Sequence, residues 1–429
     1  MKKLIYTSIL LLSLHSVHAQ VQANTELKNL INQSFSYFPK IKEVQNNIET
    51  AKEQLDIAQT KLPTVDANAS YNYVMPKITL PLEVDGKKQE FQFAPVHNGN
   101  VNISADYMLF DFGRLKANVE KAKTDLKYAQ HNVDYTKTQL AYQVANIYYN
   151  IIYLQKAISI QDTVLAFLNE NKRITESKLR NGDAIKVDLL NIQAQVDIES
   201  NRKVDLQNSL QKQINLLEYT TGLTSTTGSV FDFDIPLKDV LSALSEAQNN
   251  NLDYVLAKDK INQSLTDVEV AKMSDKPSVS VGAATGFKNG YVPNVNELRY
   301  NYAAGVTFKL PIYDGGKTKR QVKLAQTIVR QNELAIETLN SSYKRDIEQA
   351  LTDVTSNMER IKNTEGQIEQ AKSAEDITAS RYKNGIATNL ELTNASTNLQ
   401  KVLLTRLQYN YQLCLAKVEL SRLMGYQYW

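Results

Sequence analysis

One cysteine, Cys414, stands in 429 residues. A lone cysteine excludes an internal disulfide and a cysteine-rich metal site. Cys414 also lies far from the N-terminus, so no lipid-bearing N-terminal cysteine is available. Histidine is nearly as scarce: of four, His15 and His18 fall in the segment read below as a leader, which leaves His97 and His131. Imidazole-based metal or acid–base chemistry has little to draw on, and no cofactor is expected. His97 falls in a predicted loop and His131 on a predicted helix. The lone tryptophan, Trp429, follows a helix and Gly425 and reads as a tail, not as the aromatic end of a barrel strand. No basic or acidic block occurs. Lys+Arg at 49 against Asp+Glu at 46 gives +3, and loss of Lys2 and Lys3 brings 47 against 46, or +1. A nucleic-acid binder would concentrate basic charge on one face. Beyond the leader, no stretch approaches the ~18 apolar residues of a membrane helix. Acidic pairs abound, but on helices at this density they read as surface charge. No catalytic residue is expected.

What is present begins with a secretory leader at residues 1–19. Lys2 and Lys3 form a basic start, and Leu4 to Leu14 form an apolar run too short to span a bilayer. Val17-His18-Ala19 supplies the small residues of a cleavage site, which predicts Gln20 as the mature N-terminus.

The remaining chain is one unit written twice. Asp111-Phe112-Gly113-Arg114 matches Asp314-Gly315-Gly316-Lys317 at an offset of 203. The same offset relates Ile174–Gly182 to Ile377–Gly385, Asp188 to Glu391, Asn191 to Asn394 and Gly222 to Gly425. Helical packing that must stay in register accounts for an offset that never changes across 111–222. Upstream it becomes 213 for Ala58 and Ala271, and 214 for Pro63 and Pro277, so the first copy is longer between its proline and its Asp. The reading is a first repeat over 20–221, a linker over 222–238 and a second repeat over 239–429.

Four segments alternate apolar and polar residues with period two: about 64–75, 100–110, 278–287 and 299–310. Val65, Ala67, Ala69, Tyr71 and Tyr73 oppose Thr64, Asp66, Asn68, Ser70 and Asn72. Tyr300, Tyr302, Ala304, Val306 and Phe308 oppose Asn301, Ala303, Gly305, Thr307 and Lys309. Such alternation over about ten residues, with aromatics toward the ends, fits a membrane barrel strand with lipid outside and water inside. A half-buried soluble sheet alternates in the same way. Four strands cannot close a barrel, since the smallest membrane barrels have about eight, and an open edge in lipid leaves unsatisfied backbone groups. Two, three or more chains must then pool their strands. Between the first two segments, Ile78–Val84 and Gln89–Phe93 flank Asp85-Gly86, a tight-turn signal, which predicts a small exterior ribbon.

After each Asp-x-Gly the period changes. Val119, Ala122, Leu126, Ala129 and Val133, then Leu140, Val144, Ile147, Ile151, Leu154 and Ile158, step by fours and threes, the seam of a coiled coil with one stutter near Thr136. The matching seam runs from Val322 to Val354, with Gly366 its one weak point. Residues 114–181 hold no Pro or Gly, and such a helix is roughly 100 Å long. Asn181-Gly182 and Asn384-Gly385 suit helix C-caps. Returning helices follow at about 185–221 and 388–424. Helices at about 25–61, kinked at Pro39, and 239–275 precede the strands, with Pro63 and Pro277 at the helix-to-strand transitions.

These duplicated motifs, in this order, resemble the TolC family of outer-membrane efflux proteins over roughly residues 24–426. The resemblance rests on the junctions at Pro63 and Pro277, on Asp111-Phe112-Gly113 and Asp314-Gly315-Gly316, and on the tip segments at Gly182 and Gly385. It implies an α+β membrane protein in the outer membrane. Three chains would each give four strands to a shared transmembrane β-barrel, with long coiled-coil helices forming a periplasmic α-barrel. The tips Asn181, Gly182, Asn384 and Gly385 would face a periplasmic adaptor and an inner-membrane pump. The resemblance also implies a constriction near the tips, at which Asp188, Glu391 and Tyr382 match the family's acids and gate tyrosine. The tyrosine's arginine partner is Ala387 here, with Lys178, Arg180, Arg381 and Lys383 nearby as substitutes. A ring of carboxylates in a narrow neck favours cations, although an acid near a helix N-terminus is favoured for local reasons too. The expected function is a passive conduit of a tripartite efflux or type I secretion system. The alternative is a periplasmic or surface coiled-coil scaffold or adhesin.

Overall fold

A computed structural model describes residues 23–84 and 86–429. The leader expected at 1–19, and Asp85 of the expected turn, lie outside them. In chain order come α1 (Thr25–Tyr37), α2 (Pro39–Gln59), β1 (Thr64–Tyr73), β2 (Thr79–Val84), β3 (Lys87–Gln92), β4 (His97–Phe110), α3 (Arg114–Asn181), α4 (Lys186–Thr221), α5 (Val240–Asn250), α6 (Leu252–Lys272), β5 (Ser278–Lys288), β6 (Arg299–Lys309), α7 (Lys317–Lys383) and α8 (Asn389–Met424).

Three local expectations are corrected. The helix expected at 25–61 is two helices: α1 ends before Phe38, which is extended (ψ 120°), and Pro39 opens α2. Proline breaks the run instead of bending it, because its ring fixes φ and its missing N–H suits a first helical position. The helix expected at 239–275 likewise breaks at Asn251, whose side chain donates to the carbonyls of Arg422 and Leu423 (2.9 and 3.0 Å) and accepts from the Asp253 N–H (2.8 Å). Gly366 weakens nothing visible, since α7 passes through it unbroken.

The described residues form two compact units. Of the described residues, the first comprises 23–45, 131–256 and 336–429. Its core gathers Leu27 and Ile31 of α1, Ile151 and Ile152 of α3, Leu217 of α4, Ile347 of α7 and Val418 of α8. The linker joins that core through Phe233 and Ile235. It is clasped by Glu26, which accepts from the Thr227 N–H (2.5 Å), the Thr227 hydroxyl (3.0 Å) and the Tyr148 hydroxyl (3.2 Å). Gly228 leaves room for Tyr148, because a Cβ there would come within 2.0 Å of its hydroxyl oxygen. The C-terminus is no loose tail. Tyr428 is buried, and Trp429 meets Phe35 and Tyr428 edge-on at 5.8 and 5.2 Å. Against the expectation that no stretch beyond the leader approaches a membrane helix, one 18-residue window of α3 has a mean hydropathy of 1.3, apolar enough by length and composition to cross a membrane. Ile151, Ile152, Leu154 and Ala157 of that helix are buried in this unit's interior.

The second unit comprises Asn46–Gln130 and Ala257–Ala335. It holds an antiparallel sheet in the order β1-β4-β5-β6 and a separate two-stranded ribbon, β2-β3. Thr64 pairs with Asp106, Asn100 with Lys288 and Ser278 with Lys309; a bulge shifts the β4–β5 register between Met108 and Phe110. Both end strands, β1 and β6, carry an unpaired edge in the single chain. All ten residues of β1 are exposed. On the apolar face Tyr302 is 80% exposed, while on the other Asn68 donates to the Ser104 hydroxyl at 3.2 Å. Among the described residues, no protein layer covers the sheet's apolar face. His97, expected in a loop, is the first residue of β4, and its Nδ1 hydrogen-bonds the Tyr71 hydroxyl at 2.6 Å.

Candidate gate and helical tips

The strand-to-helix junctions show what Asp-x-Gly is for. The Asp111 carboxylate accepts from the N–H of Gly113 (3.1 Å) and of Leu115 (2.5 Å), and Asp314 accepts from Gly316 and Thr318 (both 2.8 Å). Each satisfies N–H groups that a helix start leaves without partners. Those bonds, chiefly from Thr318, hold the Asp314 carboxyl below the usual carboxylate range. The chain enters both helices through left-handed backbone, Gly113 at φ +100° and Gly315 and Gly316 at +69° and +76°. Phe112, the counterpart of Gly315, adopts φ +55° as a non-glycine, and its ring lies 4.6 Å from that of Phe110.

The two tips end in the same way. Gly182 (φ +85°) donates its N–H to Leu179 O (3.2 Å), and Asp183 donates to Lys178 O (2.8 Å). Gly385 (φ +75°) donates to Tyr382 O (3.1 Å), and Ile386 to Arg381 O (2.8 Å). Both are six-to-one plus five-to-two C-caps that use orphan carbonyls at helix ends. Asn181 is the last residue of α3, and Asn384 follows the end of α7.

The returning helices begin differently. At α8 the Thr388 hydroxyl accepts from the Glu391 N–H (3.2 Å), while Glu391 accepts from the Thr388 N–H (2.6 Å) and hydroxyl (3.0 Å), a complete capping box. These bonds, the backbone N–H first, hold the exposed Glu391 carboxyl below the usual range. At α4 the N-cap is Ile185, which offers no acceptor, and Asp188 makes one long bond, from the Ile185 N–H at 3.4 Å. Asp188 and Glu391 therefore both occupy the third helical position and serve their own helix N-termini. The Asn389 amide donates to Asp188 O (3.2 Å), which links the two hairpins.

Tyr382 faces inward, 5% exposed. Its hydroxyl hydrogen-bonds that of Thr175 at 2.6 Å. The Lys178 ammonium donates to its backbone carbonyl and stands 4.4 Å from its ring centroid. Of the four basic residues read as substitutes for the missing arginine, Lys178 thus meets Tyr382 within one chain. Ammonium against the carbonyl end of α7 is favoured by the helix dipole, and over the ring by its quadrupole. Thr175 was not singled out, although it belongs to the repeated segment that marked the tips.

A second polar group escaped sequence reading altogether. Glu199 of α4, 3% exposed, accepts from Gln161 of α3 (2.8 Å), Gln400 of α8 (2.8 Å) and Gln195 (3.1 Å), and pairs with Arg202 at 3.2 Å. Gln400 also donates to Gln161 Oε1 at 3.1 Å. Every oxygen of this buried carboxylate has partners, so its desolvation is offset. Charged residues on helices are ordinarily exposed, and nothing in the linear pattern distinguished this one.

Comparison with known proteins agrees over both halves. The family described as "Outer membrane efflux protein" matches residues 30–223 and 243–426. The outer membrane protein TolC of Escherichia coli (strain K12) is 23% identical over 284 residues, 62% of this chain and 57% of that protein. TolC of Salmonella enteritidis is 25% identical over 241 residues, so the matched region spans about half its length (48%). The outer membrane efflux protein BepC of Brucella suis biovar 1 is 20% identical over 334 residues, 76% of this chain and 72% of that protein. Among solved structures, the outer-membrane channel OprN superposes with a TM-score of 0.76 at 18% identity, covering 94% of this chain and 91% of that one. The outer membrane protein VceC from Vibrio cholerae superposes at 0.73 and 19% identity, covering 94% and 96%.

Proposed function

This chain belongs to the outer membrane efflux protein family, and from that premise we propose that it is a channel subunit of the outer membrane, a passive conduit of a tripartite efflux or type I secretion system. The observation that carries the reading is a four-stranded sheet with two open edges and an uncovered apolar face. In lipid every backbone N–H and C=O needs a partner, so β1 of one copy must meet β6 of the next. Three copies give a twelve-stranded barrel, an even number within the range of membrane barrels. Aromatic girdles fit that placement. Tyr71, Tyr73, Phe287 and Tyr300 stand at one end of the strands, Tyr107, Phe110 and Phe308 at the other, all exposed. Phe287 and Val279, at opposite ends of β5, are eight residues apart, or roughly 27 Å along the strand. The helices continue the duct into the periplasm, and their tips meet an adaptor and an inner-membrane pump that supplies the energy.

The tips act as the gate. In the closed state the contacts from Thr175 and Lys178 to Tyr382, and from Asn389 to Asp188, hold the two hairpins of one chain together. Repeated by symmetry, Asp188 and Glu391 line the neck and favour cations. Purified protein in planar bilayers is expected to conduct as a heat-resistant oligomer from the outer-membrane fraction; a soluble, non-conducting product would instead establish the scaffold alternative. Asp188→Ala combined with Glu391→Ala is expected to lower cation preference or raise conductance, and unchanged ion selectivity would remove both residues from the constriction.

A further inference from the structure

The ribbon of β2 and β3 has no role in the account above, and its two faces differ. Cross-strand partners share a face. Leu80 pairs with Phe91, and the Phe93 N–H donates to Ile78 O at 3.0 Å. Ile78, Leu80, Leu82, Phe91 and Phe93 therefore lie together, and they are 41–54% exposed. The opposite face carries Thr79, Gln92, Pro81 and Glu90. A lone two-stranded ribbon is at best marginally stable in water, and a contiguous apolar patch on it marks a surface that something covers.

Its position in the sheet says what does. The ribbon rises from the end of β1, an edge strand, and returns into β4. The β5–β6 loop emerges at the same end, since the Asn289 side chain accepts from the Gly99 N–H (2.9 Å) and donates to His97 O (2.5 Å). In the closed ring that the function above requires, β1 lies antiparallel to β6 of the next copy. The ribbon then stands beside that copy's loop just ahead of β6. There Tyr291, Val292 and Leu298 are exposed, Val292 at 74%. Lipid is a poorer occupant. The ribbon begins beyond Tyr71 and Tyr73, and aromatic girdles mark the limit of the apolar layer.

We propose that the apolar face of the β2–β3 ribbon is a clasp between copies, seated on the Tyr291–Leu298 loop of the neighbouring chain and closing the exterior end of the β1–β6 seam. The proposal rests on the reading that copies complete the barrel, and the test separates the two. Leu80→Cys with Val292→Cys, treated with a short bismaleimide in outer membranes, is expected to give covalent multimers on a denaturing gel, and neither single variant is. Native Cys414 is buried, and burial pushes its thiol pKa up, so it stays silent. A conducting oligomer without inter-chain bridges would overturn the clasp and leave the channel standing. Absence of any oligomer would overturn both. Leu80→Asp with Phe91→Asp is expected to shift the temperature of oligomer dissociation in detergent downward while conductance of intact channels stays the same. An unshifted dissociation temperature would assign the face to lipid or solvent and overturn the clasp.

Discussion

The two units of this chain solve opposite problems with the same helical and strand grammar. The first buries Tyr148, Tyr149, Ile151, Ile152 and Leu217 completely and clasps its own linker. The second presents a sheet whose first strand buries nothing and whose edges are unpaired. Burying apolar surface at about 25 cal/mol per Å² stabilises the first from within the single chain. In the second that gain is missing within the chain, and the function proposed above takes it from lipid on one face and from other copies at the edges. A single chain can thus bury its apolar side chains in one region and leave them exposed beside unpaired strand edges in another.

That contrast can be broken by substitution. The largest expected effect is in the first unit: Ile152→Ala should cost ~2–5 kcal/mol, the range for emptying a buried aliphatic site, measured by denaturant unfolding. In the second unit Ala304→Arg, on the apolar face of β6, should cost ~2–4 kcal/mol in a bilayer, against a far smaller cost for Ala303→Arg on the polar face. Equal costs at 303 and 304 would show that the sheet does not sort lipid from water. Returning to the first unit, Glu199→Ala leaves the amides of Gln161 and Gln400 short of an acceptor, a loss of roughly 1–3 kcal/mol. Glu199→Gln, which keeps an acceptor, should cost less, and the difference between them reports the charge.

The smallest effects distinguish the tips. Thr388→Ala removes one half of a capping box and should cost ~1 kcal/mol; Ile185→Ser, which supplies the acceptor α4 lacks, should stabilise by a similar or smaller amount. Helix-end hydrogen exchange measures both. Glu391 adds a pH signature. Its folded pKa is depressed, so its contribution is present above the ordinary glutamate range, about 4.3. It is lost as pH falls through the lower folded value. A carbon-detected titration placing Glu391 at or above that ordinary value would remove the capping box as its cause.

Much of the architecture was legible because it is periodic. Alternation at Val65, Ala67, Ala69, Tyr71 and Tyr73 falls on β1, the steps of three and four from Val119 onward fall on α3, and Gly182 and Gly385 sit in left-handed turns that other residues resist. The junction aspartates were legible as motifs, although their work as caps appears only in the hydrogen bonds. Breaks were harder. Pro39 announces itself, but Asn251 ends α5 through bonds to Arg422 and Leu423, far away in sequence. The Glu199 cluster and the Thr175–Tyr382–Lys178 contact were illegible for the same reason, since each joins residues of helices that only folding brings together.

By itself, then, the amino-acid order determined the duplication, the strand and helix periods, the turns at the tips and the excess of strand surface over anything one chain can cover. Those properties are local or nearly so, set by backbone sterics and by the spacing of apolar residues. Only tertiary structure decided which carboxylate is buried, that Tyr382 turns inward to Thr175, that Trp429 packs against Phe35, and that the ribbon keeps an apolar face open. Each of these depends on side chains from distant segments competing for the same space and the same hydrogen bonds, a competition that linear order does not record.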